Sequence, residues 1–325
     1  MAHIAVIIVN YNAAELVMAG VASVLDPARS HGGHQVSVHL VDNASPNGDA
    51  AQFRAAAPGW GERVTLYLED TNHGFGRGNN LVLNRLTQDP NPPDYVFLLN
   101  PDAQLKNDTL AVLSAHLEAH PKCAIAGARA FNPDADDPVV AAFQFPGLTS
   151  TFSAALNLGP VARLLRRYDL PIDASLPSQQ VDWVSGAAVL ARFEVWRDLG
   201  FFDPEYFLYY EEVDLMLQTA RAGWDCWHVT EAEIVHVEGA STDVRSANAG
   251  RTRRPLYWYH SWQYYFRKNY GRPYALLAAL VWIIGATGNL VHASLRREPV
   301  FTPASFFKDF WAAGLRPLLA FRPRP

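Results

Sequence analysis

The chain has 325 residues, of which 49% are hydrophobic and 18% charged, and this composition excludes a disordered or fibrous protein while allowing one large domain or two smaller ones. The net charge of −5 hides an asymmetry, because residues 1–244 carry 14 Lys and Arg against 30 Asp and Glu, whereas residues 245–325 carry 13 against 2. The basic tail predicts an anionic partner of its own, either nucleic acid or a membrane surface.

Ile4 to Val9 is an apolar run with no basic region before it and no small-residue cleavage site after it, so it predicts a first strand of a cytoplasmic protein. Strands are predicted over Ile4 to Asn10, Val36 to Asp42, Val64 to Leu68 and Tyr95 to Asn100, with helices near residues 14–25, 48–57, 77–87 and 108–119. Strand and helix in alternation imply an α/β fold with a parallel sheet and right-handed crossovers. Cys123 and Cys226 have neither metal nor disulfide spacing and are expected to be buried thiols in a reducing compartment.

Each predicted strand ends in polar residues. The first leads into Asn10-Tyr11-Asn12 and the second into Asp42-Asn43-Ala44-Ser45. The third leads into Asn72-His73-Gly74-Phe75-Gly76-Arg77-Gly78-Asn79-Asn80, and the fourth into Asn100-Pro101-Asp102. Ligands of open α/β sheets bind beyond the carboxyl ends of the strands, so these four clusters predict one site. Asp102 is then either a ligand-facing carboxylate or the cap of the next helix, and Asp42 either an acceptor for a base or ribose or a turn residue. Gly74, Gly76 and Gly78 are expected to let backbone approach a diphosphate, with Arg77 adding a charge-assisted contact. The glycine spacing matches neither the dinucleotide fingerprint nor the P-loop, which argues against a nicotinamide or flavin enzyme.

From Ala130 to Gln180 the pattern weakens into turn residues, the expected place for partner-substrate loops. Order returns at Val181 to Leu190, followed by a short helix to Leu199. A further helix is predicted from near Tyr210, spaced by Val213, Leu217 and Ala220 and closed by Gly223. Glu211, Glu212 and Asp214 gather in its first turn. The helix dipole favours acids there by ~0.3–1 kcal/mol each, and the aromatic run before them offers a partly dry setting in which a carboxylate acts as a base. After a strand at Cys226 to Val229, His236 ends a second apolar stretch; a lone histidine there is either structural or a ligand. In the tail, Tyr274 to Ala286 is apolar but shorter than the ~20 residues of a membrane span and is expected to break at Thr287-Gly288-Asn289. It is either an interfacial helix or a packed core helix.

Several of these motifs resemble glycosyltransferase family 2, in its rhamnosyltransferase-like and galactofuranosyltransferase-like branch. They are Val9-Asn10-Tyr11-Asn12, Val41-Asp42-Asn43-Ala44-Ser45, Asn72-His73-Gly74-Phe75-Gly76 with Asn79-Asn80, and Leu99-Asn100-Pro101-Asp102, then Ser185-Gly186-Ala187 and Phe202-Asp203-Pro204 leading to Tyr210-Glu211-Glu212-Val213-Asp214. The resemblance spans residue 3 to about residue 240 and implies a GT-A (Rossmann-like), mostly parallel sheet flanked by helices, with a C-terminal helical membrane-associating extension. It places a glycosyltransferase domain at 1–244, with a nucleotide-sugar half at 1–130 and an acceptor half at 131–244, and the extension at 245–325. The implied reaction is inverting transfer from a nucleotide-diphosphate sugar, by branch resemblance dTDP-rhamnose, to a glycan or polyprenyl-linked acceptor of bacterial cell-surface polysaccharide synthesis.

Asn100-Pro101-Asp102 occupies the place of the family's DxD, with Asn100 departing from the first acid. The resemblance makes Asp102 the principal ligand of a divalent metal (Mg2+ or Mn2+), with His236 the second, and Glu212 or its neighbour Glu211 the catalytic base. Donor contacts are implied at Asn10, Tyr11, Asn12, Asp42, Asn72, Gly74, Phe75, Arg77, Asn79, Asn100, Asp102 and Gly186. An anionic membrane surface on the cytoplasmic side is the expected partner of the tail, nucleic acid is not expected for want of a recognised motif, and the sequence leaves a homo-oligomer open. The competing readings are a nucleotidyltransferase on a similar sheet and a non-catalytic subunit binding nucleotide or membrane.

Overall fold

The computed structural model describes residues 1–237 and 251–320. Its first strand, β1 (His3–Asn10), is buried along nearly its whole length, as an Ile/Val run without polar alternation demands of a central parallel strand. Then come α1 (Ala14–Leu25), β2 (Gln35–Asn43), α2 (Asp49–Trp60), β3 (Val64–Glu69), α3 (Phe75–Leu86) and β4 (Tyr95–Leu99). β1 pairs in parallel with β2 and β4, and β2 with β3, so the expected alternation is present. The register sets Asn10 opposite Asp42, which brings the first two polar strand ends side by side.

Beyond β4 the sheet becomes mixed. β5 (Ala103–Leu105), α4 (Thr109–Ala119), β6 (Cys123–Phe131), β7 (Pro138–Val139) and β8 (Ala142–Phe143) lead to α5 (Leu148–Leu156) and α6 (Gly159–Leu165). β9 (Gln179–Val181), β10 (Trp183–Val184), β11 (Ala188–Arg192), α7 (Phe193–Leu199), α8 (Glu211–Arg221) and β12 (Asp225–His236) follow. β11 inserts antiparallel between β4 and β6, and β12 runs parallel to β6 but antiparallel to β5. The order is β3-β2-β1-β4-β11-β6-β12-β5, a mixed α/β sheet. The apolar segments at Cys226 to Val229 and from Ile234 belong to the one strand β12, whose register shifts between Val229 and Glu233. There the Thr230 backbone N–H donates to Ser178 Oγ (2.7 Å) instead of to the ladder. Cys123 and Cys226 are buried and unpaired, and burial pushes the Cys123 thiol up to about 12, so both are inert thiols.

The chain divides into two compact units: Met1–Phe143, Pro171–Phe207 and Glu211–Asp243 form the first, and Gln144–Leu170, Leu208–Tyr210 and Val244–Pro325 the second. The boundary read from the charge shift, between residues 244 and 245, lies outside the described residues, as does the Gly/Ser/Thr loop after His236. The second unit contains α5 and α6 together with α9 (Leu256–Tyr270), α10 (Arg272–Arg296) and α11 (Phe306–Phe310). The expected break at Thr287-Gly288-Asn289 does not occur: α10 is continuous for 25 residues. Gly285 and Gly288 lie against Ala155 and Leu156 of α5, where a Cβ would come within 2.7 and 2.6 Å of side-chain carbons. Asn289 is buried and satisfied, donating to Leu156 O (3.2 Å) and accepting from the Phe301 and Thr302 N–H groups (both 3.1 Å). Packing and hydrogen bonding therefore override two residue types that sequence reasoning treats as breakers.

Helix α10 has two apolar faces. Ala275, Ala278, Ala279, Trp282, Gly285, Ala286, Asn289 and Ala293 are buried within the unit. Leu277, Leu280, Ile284, Val291 and Leu295 are exposed, and at 3.6 residues per turn they form one stripe on the opposite side. By length and composition α10 is apolar enough to cross a membrane, yet 39% of its apolar window is buried in its own unit.

Candidate active site

The strand ends form a hydrogen-bonded frame. Asn10, fully buried at the end of β1, lies within 2.9 Å of Asp42 Oδ1 and of Asp49 Oδ2 through Nδ2 and accepts from the Ala13 N–H (3.1 Å) through Oδ1. Ser45 Oγ donates to Asp42 Oδ1 (2.6 Å) and accepts from the Asn12 N–H (2.9 Å). Asp42 and Asp49 are both buried, so one oxygen of each serves the frame itself, while Tyr11 beside them is exposed. Asp49 is a frame residue that sequence reasoning missed; its only signal was an acid at the start of α2.

A second layer follows β3. Asn43 Nδ2 donates to Asn72 Oδ1 (3.0 Å) and to Gly74 O (3.1 Å), its Oδ1 accepts from the His73 N–H (2.9 Å), and Asn72 Oδ1 also accepts from the Gly74 N–H (2.8 Å). The glycines also allow close packing within the protein. Gly78 lies against Val9, where a Cβ would come within 2.8 Å of Cγ1; Gly76 faces Phe202 and Glu211; Gly74 takes a φ of +78° with its Cβ position filled by the Phe207 carbonyl. The Phe75 N–H donates to Phe207 O (3.2 Å). Arg77 donates through Nε to His73 O (2.7 Å) and lies over the Phe207 ring. Asn79 is buried on Phe75 O (3.0 Å), and Asn80 clamps Phe202 in both directions (2.7 and 3.1 Å). Gly186 faces the Phe75 ring.

Gly74→Ala combines left-handed strain with a steric overlap, so it is expected to destabilise the fold by about 2–5 kcal/mol. Urea denaturation checks this; an unchanged midpoint would mean that the loop relaxes freely.

Asp102 and His236 are 134 residues apart in sequence and meet in space, with His236 Nε2 3.1 Å from Asp102 Oδ1. Pairing of β12 with β5 sets His236 opposite Ala103, and the Val237 N–H donates to Asp102 O (2.9 Å). On the other side, the Asn100 N–H donates to Ala187 O (2.9 Å) and its carbonyl accepts from the Ala103 N–H (3.1 Å), so the Asn100-Pro101-Asp102 turn is held at both ends. Among the described residues no third His, Cys, Asp or Glu joins the pair. One carboxylate and one imidazole suit a divalent cation that fills its other positions with phosphate oxygens and water, so the donor set fits such an ion.

Glu211 and Glu212 open α8 after Tyr209 and Tyr210, whose φ values of +69° and +70° mark a strained approach. Glu211 is buried, and each carboxyl has an Oε2 shielded from solvent with no hydrogen-bond partner. Burial, and after it the charge of Glu212, holds the Glu211 carboxyl well above the usual carboxylate range; burial also raises Glu212. The two carboxyls therefore titrate as a pair, both held above the ordinary glutamate range. A base of raised pKa is protonated, and idle, at low pH. The acid limb of the kcat profile is therefore expected above the ~4.3 of an ordinary glutamate, with the rate rising as the pH increases through it. A profile flat down to that value would contradict the burial argument.

A mixed sheet with polar strand ends and a carboxylate beyond β4 is the arrangement expected from the resemblance to GT-A glycosyltransferases. Residues 5–167 match the model of "Glycosyl transferase family 2". Over 219 residues, 64% of this chain and 68% of the relative, the sequence is 30% identical to an N-acetylglucosaminyl-diphospho-decaprenol L-rhamnosyltransferase of Mycobacterium tuberculosis. It is 28% identical over 173 residues, 52% of this chain and 63% of the relative, to rhamnosyltransferase WbbL of Escherichia coli K12. Among solved structures, GalNAc-T7 with UDP, GalNAc and Mn2+ superposes with a TM-score of 0.57 at 12% identity, covering 92% of this chain and 59% of that one. The mannosyltransferase PcManGT of Pyrobaculum calidifontis, with GDP-Man and Mn2+, superposes with a TM-score of 0.52 at 16% identity, covering 90% and 75%. The chain belongs to glycosyl transferase family 2.

Proposed function

We propose that this glycosyltransferase is metal-dependent and inverting, and that it moves rhamnose from dTDP-rhamnose to a lipid-linked, N-acetylglucosamine-bearing acceptor at the inner face of a bacterial cell membrane. The observation that carries the reading is the contact between Asp102 and His236 beyond the sheet. Those two side chains would hold a divalent cation. When bound, such an ion supplies positive charge to the departing diphosphate.

Glu212 takes the proton of the acceptor hydroxyl as that oxygen attacks the anomeric carbon, because a sugar hydroxyl does not ionise by itself at neutral pH. Its buried, unpartnered Oε2 supports that role, and its place in the Tyr210-Glu211-Glu212-Val213-Asp214 motif supports Glu212 over Glu211 as the member of the pair that acts. One carboxylate suffices for attack opposite the leaving group, whereas retention by a double displacement needs a nucleophile as well. The Asn10, Asp42 and Asn43 frame positions the loops that meet the donor. Two rhamnosyltransferases among the relatives, one named for a diphospho-decaprenol substrate, favour this sugar and acceptor.

The exposed stripe of α10 and the basic tail support membrane docking. Full-length protein is expected to float with vesicles rich in anionic lipid at low salt; its remaining in the pellet fraction would refute docking.

The deciding assay mixes purified protein, Mn2+, dTDP-rhamnose and a prenyl-diphospho-N-acetylglucosamine and follows the product by mass spectrometry. A disaccharide lipid of inverted anomeric configuration is expected. Transfer from a different nucleotide sugar alone would reject rhamnose, and pyrophosphate release from a nucleoside triphosphate would favour a nucleotidyltransferase.

A further inference from the structure

The second unit contains a half-open cavity of about 170 Å³ to which none of the chemistry above assigns a role. Tyr210, Trp258, Trp262, Trp282 and Phe301 supply its aromatic surface, and Arg254 is its charged wall residue. The Arg254 guanidinium carbon stands 4.2 Å from the centroid of the Trp258 ring. Trp282 is fixed by Trp262 (4.9 Å between ring centroids) and by Phe306 and Phe310 of α11 (5.2 and 4.9 Å), so the wall is preformed. Phe301, at the rim, is exposed, as is the aliphatic stripe of α10 in the same unit.

A cavity with aromatic walls, the hydroxyl side chains of Ser150, Thr151 and Thr302, and one guanidinium suits a ligand that is oily along much of its length and anionic and oxygen-rich at one end. A cavity of ~150 Å³ accepts a benzene ring, so this one has room for an isoprene unit. Flat aromatic walls favour the planar, unsaturated carbons of a prenyl chain, and a guanidinium binds phosphate through its N–H edge while its face stays on an indole.

We propose that this cavity binds the phosphate-proximal isoprene of a prenyl diphosphate, with Arg254 on the diphosphate and Trp258, Trp262 and Trp282 around the chain. The inference rests on the lipid-linked acceptor proposed above and adds where its lipid is held and by which residues. Ala154 lines the cavity from an exposed position on α5, so a large side chain there blocks the space without entering the core.

The binding test uses full-length protein and farnesyl diphosphate below its micelle concentration, read by tryptophan fluorescence, with farnesol and inorganic pyrophosphate as separate arms. Saturable quenching by farnesyl diphosphate is expected, at least tenfold tighter than by farnesol and absent with pyrophosphate. Arg254→Gln is expected to reduce the affinity for farnesyl diphosphate to that for farnesol, and Ala154→Trp to weaken both tenfold or more. No quenching by the wild type, equal quenching in Ala154→Trp of wild-type Tm, or binding of pyrophosphate alone would each overturn the proposal.

Turnover separates this inference from the functional reading. The measure is the ratio of kcat/KM for a prenyl-linked acceptor to that for a short-alkyl analogue. A wild-type preference of tenfold or more that collapses in Ala154→Trp supports the site; an unchanged ratio rejects it. No transfer to either acceptor rejects the reaction assigned above, and the fluorescence result then still decides whether the cavity takes prenyl diphosphates.

Discussion

Glu212→Gln is expected to lower kcat by about 10²- to 10⁴-fold and to leave the affinity for the nucleotide sugar near its wild-type value. The amide matches the carboxylate in shape, so the start of α8 is preserved, and it cannot accept the proton that the attacking hydroxyl must lose. Donor affinity, read by calorimetry with dTDP-rhamnose and Mn2+, is the control that separates a lost base from a collapsed site. Glu211→Gln is the companion variant. The motif position of the base falls on Glu212, so removal of the Glu211 carboxylate is expected to cost far less turnover. If Glu211→Gln were the inactive one and Glu212→Gln retained its rate, the two roles would be exchanged.

Several features of this molecule were legible in the chain because they depend on local pattern. The apolar runs of β1 and β4 have no period because both faces are covered, and the Val213, Leu217 and Ala220 spacing with Gly223 outlines α8. The Asp102 and His236 contact was an inference from resemblance, and its physical cause, the pairing of β5 with β12, is a tertiary fact that no local window contains. Gly74, Gly76 and Gly78 were read as places where backbone can approach a diphosphate, and the structure adds that the space beside them is filled by Phe207, Phe202, Glu211 and Val9, contacts remote in sequence that no local window contains. Helix α10 was read as too short for the same reason, since the partners that satisfy Asn289 and fit Gly288 come from α5 and from residues 301 and 302. Residue type sets what a position can do, and the contacts decide which of those things it does.

Asp102→Asn is expected to abolish metal-stimulated transfer, a loss of about 10²- to 10⁴-fold if the carboxylate anchors a cation worth several kcal/mol to the departing diphosphate. Asparagine is the informative replacement because the two roles open to Asp102 separate there. As a structural residue, Asp102 contributes an oxygen 3.1 Å from His236 Nε2 and a backbone carbonyl that accepts from the Val237 N–H. An asparagine keeps both, so a purely structural role predicts nearly normal Tm and nearly normal turnover. A carboxylate gives a divalent cation charge as well as an oxygen and the amide gives only the oxygen, so an anchoring role predicts normal Tm with transfer lost and with donor affinity much less responsive to Mn2+. His236→Ala leaves the carboxylate in place and is expected to weaken the Mn2+ dependence by a smaller factor, of about 10- to 100-fold, because a water can occupy the vacated position. Titrating Mn2+ against turnover in both variants decides between the roles: wild-type activity in Asp102→Asn would return this carboxylate to the frame of the fold.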